Sequence, residues 1–284
     1  PADTMVFFER LGLKLKVERG NRVFPLSDKA ADAAEALLKY ADTLGIKIIT
    51  ARAENIGVTD KKVTHVDCGT LRAACKAAIV CTGGLSYPKT GSDGDGYKMV
   101  KRLEHSVTPL LPSLVPLTSN DPDCKAMQGL SLKNVVLTLK DRAGVKLYEE
   151  MGEMQFTHFG ISGPLVLSAS AHMKRSEDGR FAGGHMAEID LKPALSQEKL
   201  DERILRDFNE NKNRAFKNSL DGLLPRLMIP VAVKRSEIPP DLKVNSITRE
   251  QRQRLVKLLK CFKLEITGTR PVEEAVITSG GNRD

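Results

Sequence analysis

The sequence predicts a mixed α/β protein in two parts, an α/β domain with a buried parallel sheet and a separate region of strands followed by helices. Three observations predict it. The length of 284 residues exceeds the roughly 250 residues that one hydrophobic core usually fills. The apolar content of 41% is on the low side for a globular protein but far from the disordered regime. The apolar rhythm changes after Pro109, from helix alternating with strand to a run of strands and then a run of helices.

The elements follow in chain order. Met5 to Gly12 is apolar at helical spacing and reads as the end of a helix. Leu13–Glu18 and Arg22–Leu26 read as short strands around Gly20. Ser27 is a suitable N-cap for a helix over Asp28–Leu44, whose Ala34, Leu37, Leu38 and Ala41 share a face, with Gly45 just beyond its end. The β-branched run Ile46–Thr50 then predicts a strand, and with the helix before it one βαβ-like step. Further strands are expected near Val63–Cys68 and Leu71–Ala74. Ala77–Cys81 reads as the buried middle of a sheet, and a helix is expected from Tyr97 to Leu103.

Pro109, Pro112, Pro116 and Pro122 mark a crossing between domains. Beyond it, strands are expected near 114–118, 133–140, 145–156, 162–170 and 186–191, then helices near 196–210, 214–235 and 248–262. Ser196 opens one of these helices. Thr248-Arg249-Glu250-Gln251 forms a capping box for the last. The expected division is 1–115, an inserted 116–266 (β part to about 192, helical part about 193–262) and a return at 267–284.

A net charge of +8 raises the question of an anionic partner. Lys and Arg are spread along the chain and concentrate in the helical stretches, as solvated helix faces do; nucleic acid is the alternative. The five cysteines form no CxxC pair and no zinc-like spacing, which fits small buried side chains in a reducing cytoplasm. The Met154–Met173 stretch, free of Asp, Glu, Lys and Arg, is broken by Gly160, Gly163 and Pro164 and reads as no membrane span. No metal site is expected, and no HExxH, GxSxG or P-loop motif occurs.

The most informative run is Ala78 to Tyr97. An apolar segment ends in Thr82-Gly83-Gly84, and Ser86-Tyr87-Pro88, Thr90-Gly91 and Gly94-Asp95-Gly96 lead into a helix. Ligands of open α/β sheets lie beyond the carboxyl ends of the strands, and glycine there leaves backbone that a large cofactor can approach. The N–H groups of the following helix start can face an electron-rich group. The alternative is an ordinary strand–turn–helix with Asp95 as N-cap.

This run resembles the signature ATGG-x-SYP-x-TGS-x-GDGY of the HI0933-like flavoproteins, the BaiN and aminoacetone-oxidase group, with Cys81 where that family usually has Ala. Four further stretches resemble the family in order: Arg19 to Ser27, Gly129 to Val135, Gly152 to Pro164, and Thr267 to Pro271 with Ala275, Thr278, Gly280 and Gly281. The resemblance implies a glutathione-reductase-like, Rossmann-type FAD-binding domain, partial here, interrupted by a β-barrel-like and helical insert. It implies FAD, with NADH or NADPH as candidate electron donor, and oxidoreductase chemistry on a small ketone, amine or enone by hydride transfer. An RNA-linked flavoprotein and an inactive scaffold fragment are the alternatives. The family's opening GxGxxG and closing flavin segment fall outside the sequence, so an incomplete hold on FAD is expected.

By the same resemblance Thr82, Gly83 and Gly84 lie near the flavin, and the loop bearing Ser86, Tyr87, Pro88, Thr90, Gly91, Asp95 and Gly96 covers it. Ala53 contacts the adenine end through its backbone. His158 is a candidate proton carrier, or else a structural histidine. Arg270 is a candidate for an anionic substrate or flavin oxygen, or else a partner in a domain-crossing salt bridge.

Overall fold

The computed structural model describes residues 1–18, 21–173, 175, 181 and 183–283. Arg19 and Gly20, part of the early motif, lie outside the described residues. The chain divides into two compact units, Pro1–Ala78 and Ile79–Asp284. The expected crossing near 115 falls within the second.

The first unit contains α1 (Ala2–Arg10), the antiparallel pair β1 (Leu15–Glu18) and β2 (Arg22–Pro25), and α2 (Ala30–Thr43). A three-stranded antiparallel sheet follows, made of β3 (Asn55–Thr59), β4 (Lys62–Cys68) and β5 (Leu71–Ala74). Two expectations fail here. Ser27 does not cap α2: its hydroxyl goes to the Asp32 carboxylate, and Lys29 is the N-cap residue with no side-chain cap bond. Ile46–Thr50 is not a strand, so the βαβ-like step is absent. A strand exists only by pairing, and no described strand lies alongside this run, whose Ile48 is 60% exposed.

The second unit opens with Ile79–Gly84, which is also outside any strand, with Ile79 90% exposed. The expected buried strand over Ala77–Cys81 is therefore corrected for the same reason: apolar, β-branched composition supplies propensity, and pairing decides. Next come α3 (Asp95–Arg102), β6 (Ser106–Val107), β7 (Leu111–Ser113), β8 (Leu117–Thr118) and α4 (Pro122–Ala126). The long strands β9 (Ser131–Lys140) and β10 (Lys146–Thr157) follow, then β11 (Gly160–Ser162), α5 (Pro164–Ser170) and β12 (His185–Asp190). The helices α6 (Gln197–Glu210), α7 (Ile229–Ser236) and α8 (Arg249–Lys260) precede β13 (Phe262–Ile266), β14 (Gly268–Thr269), β15 (Ile277–Ser279) and β16 (Asn282–Arg283).

Two expected elements change, one in type and one in extent. The stretch 162–170 is helical after Ser162 because Gly163, at φ 98°, turns the chain and Pro164 starts α5, where a missing N–H costs nothing. The expected helix over 214–235 shrinks to α7. Pro225 stands in the turns before it, and Pro230 is tolerated only in its first turn.

The seven-stranded sheet has the order β13-β12-β9-β10-β11-β8-β14, antiparallel throughout. Its two outer strands are neighbours in sequence, separated by Thr267 alone, whose N–H also bonds Thr118 O at 2.9 Å. One continuous segment thus pairs with both edges, and the sheet is closed into a barrel. At the crossing of β11 and β8 only glycine fits: a Cβ on Gly160 would stand 2.2 Å from Leu117 O. The interior is filled by Leu137, Leu139, Phe156, Ile189, Phe262 and Leu264, with Phe156 and Phe262 edge to face at 6.2 Å.

The helices follow their sequence signals closely. Ser196 caps α6 by accepting from Lys199 N, and Leu200, Ile204 and Phe208 bury one face. Thr248 and Gln251 form the capping box of α8, which buries Leu255, Val256 and Leu259. Arg252 of α8 bonds the Asp201 carboxylate of α6 through two nitrogens. Of the five cysteines, Cys124 is buried, and burial pushes its thiol up to about 11; Cys81 is exposed and the rest are half-buried. Among the described residues no helix is long and apolar enough to cross a membrane.

A charge cluster fastens the helices to the barrel. Arg235 of α7 donates from Nε to Asp123 Oδ2 at 2.6 Å, from Nη2 to Asp121, and from Nη1 to Lys263 O at 2.8 Å, with its guanidinium over Phe262. Lys234 adds a bond to Asp123 at 3.0 Å. Burial would raise the Asp123 carboxyl, but hydrogen bonds from Arg235 and Lys234 and their charges hold it below the usual carboxylate range.

The Asp123 side chain is 8% exposed, so removing Arg235 leaves a buried carboxylate poorly paired. Arg235→Ala is expected to destabilise the second unit by about 3 kcal/mol, seen as a lower chemical-unfolding midpoint. Because Asp123 titrates below its unfolded value, its contribution is present above the ordinary carboxylate range. It is lost as pH falls through the depressed value, and the midpoints of wild type and variant should converge there.

Candidate functional site

After Cys81 the chain turns through Thr82, Gly83 and Gly84, with Gly83 left-handed at φ 75°. Strand β15 pairs with β7, with Thr278 opposite Pro112, and this brings Thr278 against the turn. The Leu85 N–H donates to Thr278 Oγ1 at 2.8 Å and the Ser86 N–H to the same oxygen at 3.1 Å, while Ser86 Oγ lies 3.0 Å away. Tyr87, left-handed at φ 53°, donates its N–H to Glu273 O in the turn before β15. Segments 193 residues apart are thereby stitched together.

A cleft of about 360 Å³ opens along this seam. Ser86, Tyr87, Thr90, Ser92, Tyr97 and Thr278 supply hydroxyls to its wall, Gly84 bare backbone, and Val276 and Ile277 apolar surface. Among the described residues no Asp, Glu, Lys, Arg or His lines it. Burying an ionised group there would lack compensation, so the cleft suits a neutral polar moiety.

The glycines also admit close contacts within the chain itself. A Cβ on Gly84 would lie 2.3 Å from Thr278 Oγ1, one on Gly83 2.6 Å from Ser92 Oγ, and one on Gly96 2.3 Å from Thr82 Oγ1. The space left by the missing side chains is filled by the protein's own hydroxyls. These glycines admit close chain-to-chain contact, and Gly84 alone of the three borders the cleft.

Of the residues named from sequence, Gly84, Ser86, Tyr87 and Thr90 line the cleft; Thr82, Gly83, Pro88, Gly91, Asp95 and Gly96 do not. Pro88 and Gly91 shape the turn that holds Thr90, whose hydroxyl donates to Tyr87 O at 2.7 Å. Gly94, rather than Asp95, is the N-cap residue of α3; Asp95 in its first turn pairs with Lys98 at 3.1 Å. Ala53 lies half-buried in the first unit, ahead of β3. Ser92, Tyr97, Val276, Ile277 and Thr278 complete the wall and were not named as site residues. Tyr97 and Thr278 stood within the recognised motifs, but spacing alone gives no sign that a motif from each end of the chain shares one wall.

His158 and Arg270 come together in a second cluster of the same unit. His158 is exposed on the turn between β10 and β11, with its ring 5.0 Å from that of Phe159. The Arg270 guanidinium covers the other ring system at 4.7 Å and bonds both oxygens of Glu274, Nε to Oε2 at 2.9 Å. The Glu274 carboxyl is held low, first by the Arg270 hydrogen bond against a small burial effect, then by the charges of Arg270 and His158. Arg270 is thus engaged in a local ion pair four residues along its own segment. Among the described residues no group of His, Cys, Asp and Glu is arranged to hold a metal ion.

Gly84→Ala is expected to cost about 1–3 kcal/mol, because the new methyl displaces Thr278 Oγ1 from the two N–H groups it accepts. Thr278→Ala in the same chain should recover part of that loss. A double-mutant cycle measures the coupling, and purely additive effects would contradict the contact.

Comparison with known proteins agrees with this architecture. Residues 111–277 match the family described as HI0933-like protein barrel and H2TH domain. The chain is 29% identical over 284 residues to the 3-dehydro-bile acid delta(4,6)-reductase of Clostridium scindens, covering 99% of the chain and 68% of that protein. It is 27% identical over 232 residues to the ribosomal RNA dihydrouridine synthase of Escherichia coli, 81% of the chain and 54% of the relative. Its likeness to the enzyme of that name from Haemophilus influenzae is 29% over 257 residues, 89% of the chain and 60% of the relative. These relatives are named as enzymes, and the chain spans between about half and two thirds of their lengths. With a closed barrel and attached helices where the family has them, and the match covering more than half of its residues, the chain belongs to the HI0933-like family.

Proposed function

We propose that the protein carrying this chain is an FAD-dependent oxidoreductase that reduces an unsaturated substrate by hydride transfer. In this reading residues 1–115 and 267–284 serve the Rossmann-type FAD-binding domain and 116–266 form the insert. The observation that carries it is the seam at Thr278, where a motif from each side of the barrel and helices meets along one uncharged, hydroxyl-walled cleft. The names of the relatives support it, since a delta(4,6)-reductase and a dihydrouridine synthase each add hydrogen to an unsaturated compound.

The residues present fit part of such a cofactor. A volume of about 360 Å³ accepts a ring system, at the lower end of small-ligand clefts. Ser86 and Thr90 would bind the polar edge of the ring, Gly84 would let it approach the backbone, and Val276 and Ile277 would cover its apolar part. FAD when bound supplies the two-electron chemistry. His158, exposed beside Glu274, would hold a proton at its imidazole close to the return segment. NADH or NADPH is the proposed electron donor, and a small ketone, amine or enone the proposed substrate.

An RNA substrate is the second reading. The net charge of +8 and the two relatives named for ribosomal RNA favour it.

The test is a flavin spectrum of the purified protein, the chain alone and its longest natural form. Absorbance at about 450 nm that survives gel filtration is expected of the longest natural form, with weaker retention by the chain alone, and nicotinamide oxidation when a substrate is supplied. Turnover with a conjugated ketone favours the small-molecule reading. Turnover with ribosomal RNA that weakens steeply with salt favours the second. Absence of flavin uptake by either form would refute both.

A further inference from the structure

We infer that Thr278 is a positioning residue that fixes the Ser86 hydroxyl as a hydrogen-bond donor into the cleft, for the carbonyl of a neutral cyclic amide. The argument is one of hydrogen-bond capacity. A hydroxyl oxygen has two acceptor positions and one proton. Thr278 Oγ1 accepts from Leu85 N and from Ser86 N, which fills both positions. It has none left for the Ser86 proton, so the 3.0 Å contact between the hydroxyls runs one way, from Thr278 O–H to Ser86 Oγ. The Ser86 O–H is turned outward, along the wall that Ser86 itself lines.

Thr90 shows the opposite polarity. Its proton goes to Tyr87 O at 2.7 Å, and its oxygen presents lone pairs at the same cleft. A wall with a fixed donor and a fixed acceptor, and no ionised side chain among the described residues, selects a ligand that carries C=O beside N–H and no charge on that edge. A flavin's pyrimidine edge and a uracil ring share that chemistry. The inference rests on the flavin reading for the first of these ligands and is independent of it for the second.

Riboflavin and uridine are the probes, titrated into wild type, Ser86→Ala, Thr278→Val and Thr278→Ser, with binding followed by flavin fluorescence or calorimetry. Ser86→Ala is expected to weaken the bound probe about five- to tenfold. Thr278→Val should weaken it similarly, and Thr278→Ser should bind as wild type does. Amide exchange at Leu85 and Ser86 is the readout independent of ligand: faster in Thr278→Val, unchanged in Ser86→Ala and Thr278→Ser. Riboflavin bound equally by wild type and Ser86→Ala overturns this inference and leaves the flavin reading standing. Uridine bound and then lost in Ser86→Ala, with riboflavin not bound at all, supports the inference with a uracil ring as its ligand, and the flavin reading then stands or falls on the spectrum of the longest natural form. Neither probe bound by wild type overturns the inference.

Discussion

The second unit depends on one segment that pairs with both edges of a sheet. Phe262–Ile266 lies along β12 and Gly268–Thr269 along β8, with Thr267 bridging the two. Closure removes the open edges that an antiparallel sheet would otherwise present, and it gives Phe262, Leu264 and Ile266 an interior to fill. It also sets where the chain goes next. Residue 270 leaves the barrel tied to Pro116 O, and Val276 is tied to Leu114 O, so the return segment retraces the path by which the chain entered. The pairing of β15 with β7 and of β16 with β6 is the continuation of that retracing.

Retracing is what makes a site from motifs so far apart. Thr278 reaches the Gly84–Ser86 turn because the entering and leaving strands run side by side, and Gly280 fits because a Cβ there would stand 2.3 Å from Pro109 O. Thr108 holds the same ribbon further along, accepting from Gly281 N and donating to Gly281 O. The ribbon anchors one wall of the cleft to the barrel. The Arg235–Asp123 cluster is one of the contacts that place the helices on the barrel.

What the sequence revealed depended on how local the cause was. The helices α6 and α8 were legible because cap and apolar face both lie within the element: Ser196 with Leu200 and Ile204, Thr248 and Gln251 with Leu255 and Leu259. Strands β9, β10 and β12 were legible from alternation. Ile46–Thr50 and Ala77–Cys81 carry equally strong β composition and form no strand, because a ladder needs a neighbour and composition cannot supply one. Barrel closure turns on a register shared by residues 118 and 267, which composition does not reveal; the motif resemblance alone implied a β-barrel-like part. At the cleft, motif resemblance marked Ser86 and Tyr87, while the partnership with Thr278 is a tertiary fact.

The glycines of the Thr82–Gly96 run show what the chain itself gains from bare backbone. Glycine at these positions removes a Cβ, and the vacated volume goes to the nearest group that gains from it. For Gly83, Gly84 and Gly96 that group is a hydroxyl of Ser92, Thr278 or Thr82, each within contact of where the methyl would be. The Thr278 hydroxyl is not passive packing, because it satisfies backbone N–H groups that the turn would otherwise leave without partners. Gly84 therefore acts at second hand: it lets Thr278 reach the turn, where Thr278 spends both of its acceptor positions on the amides of Leu85 and Ser86.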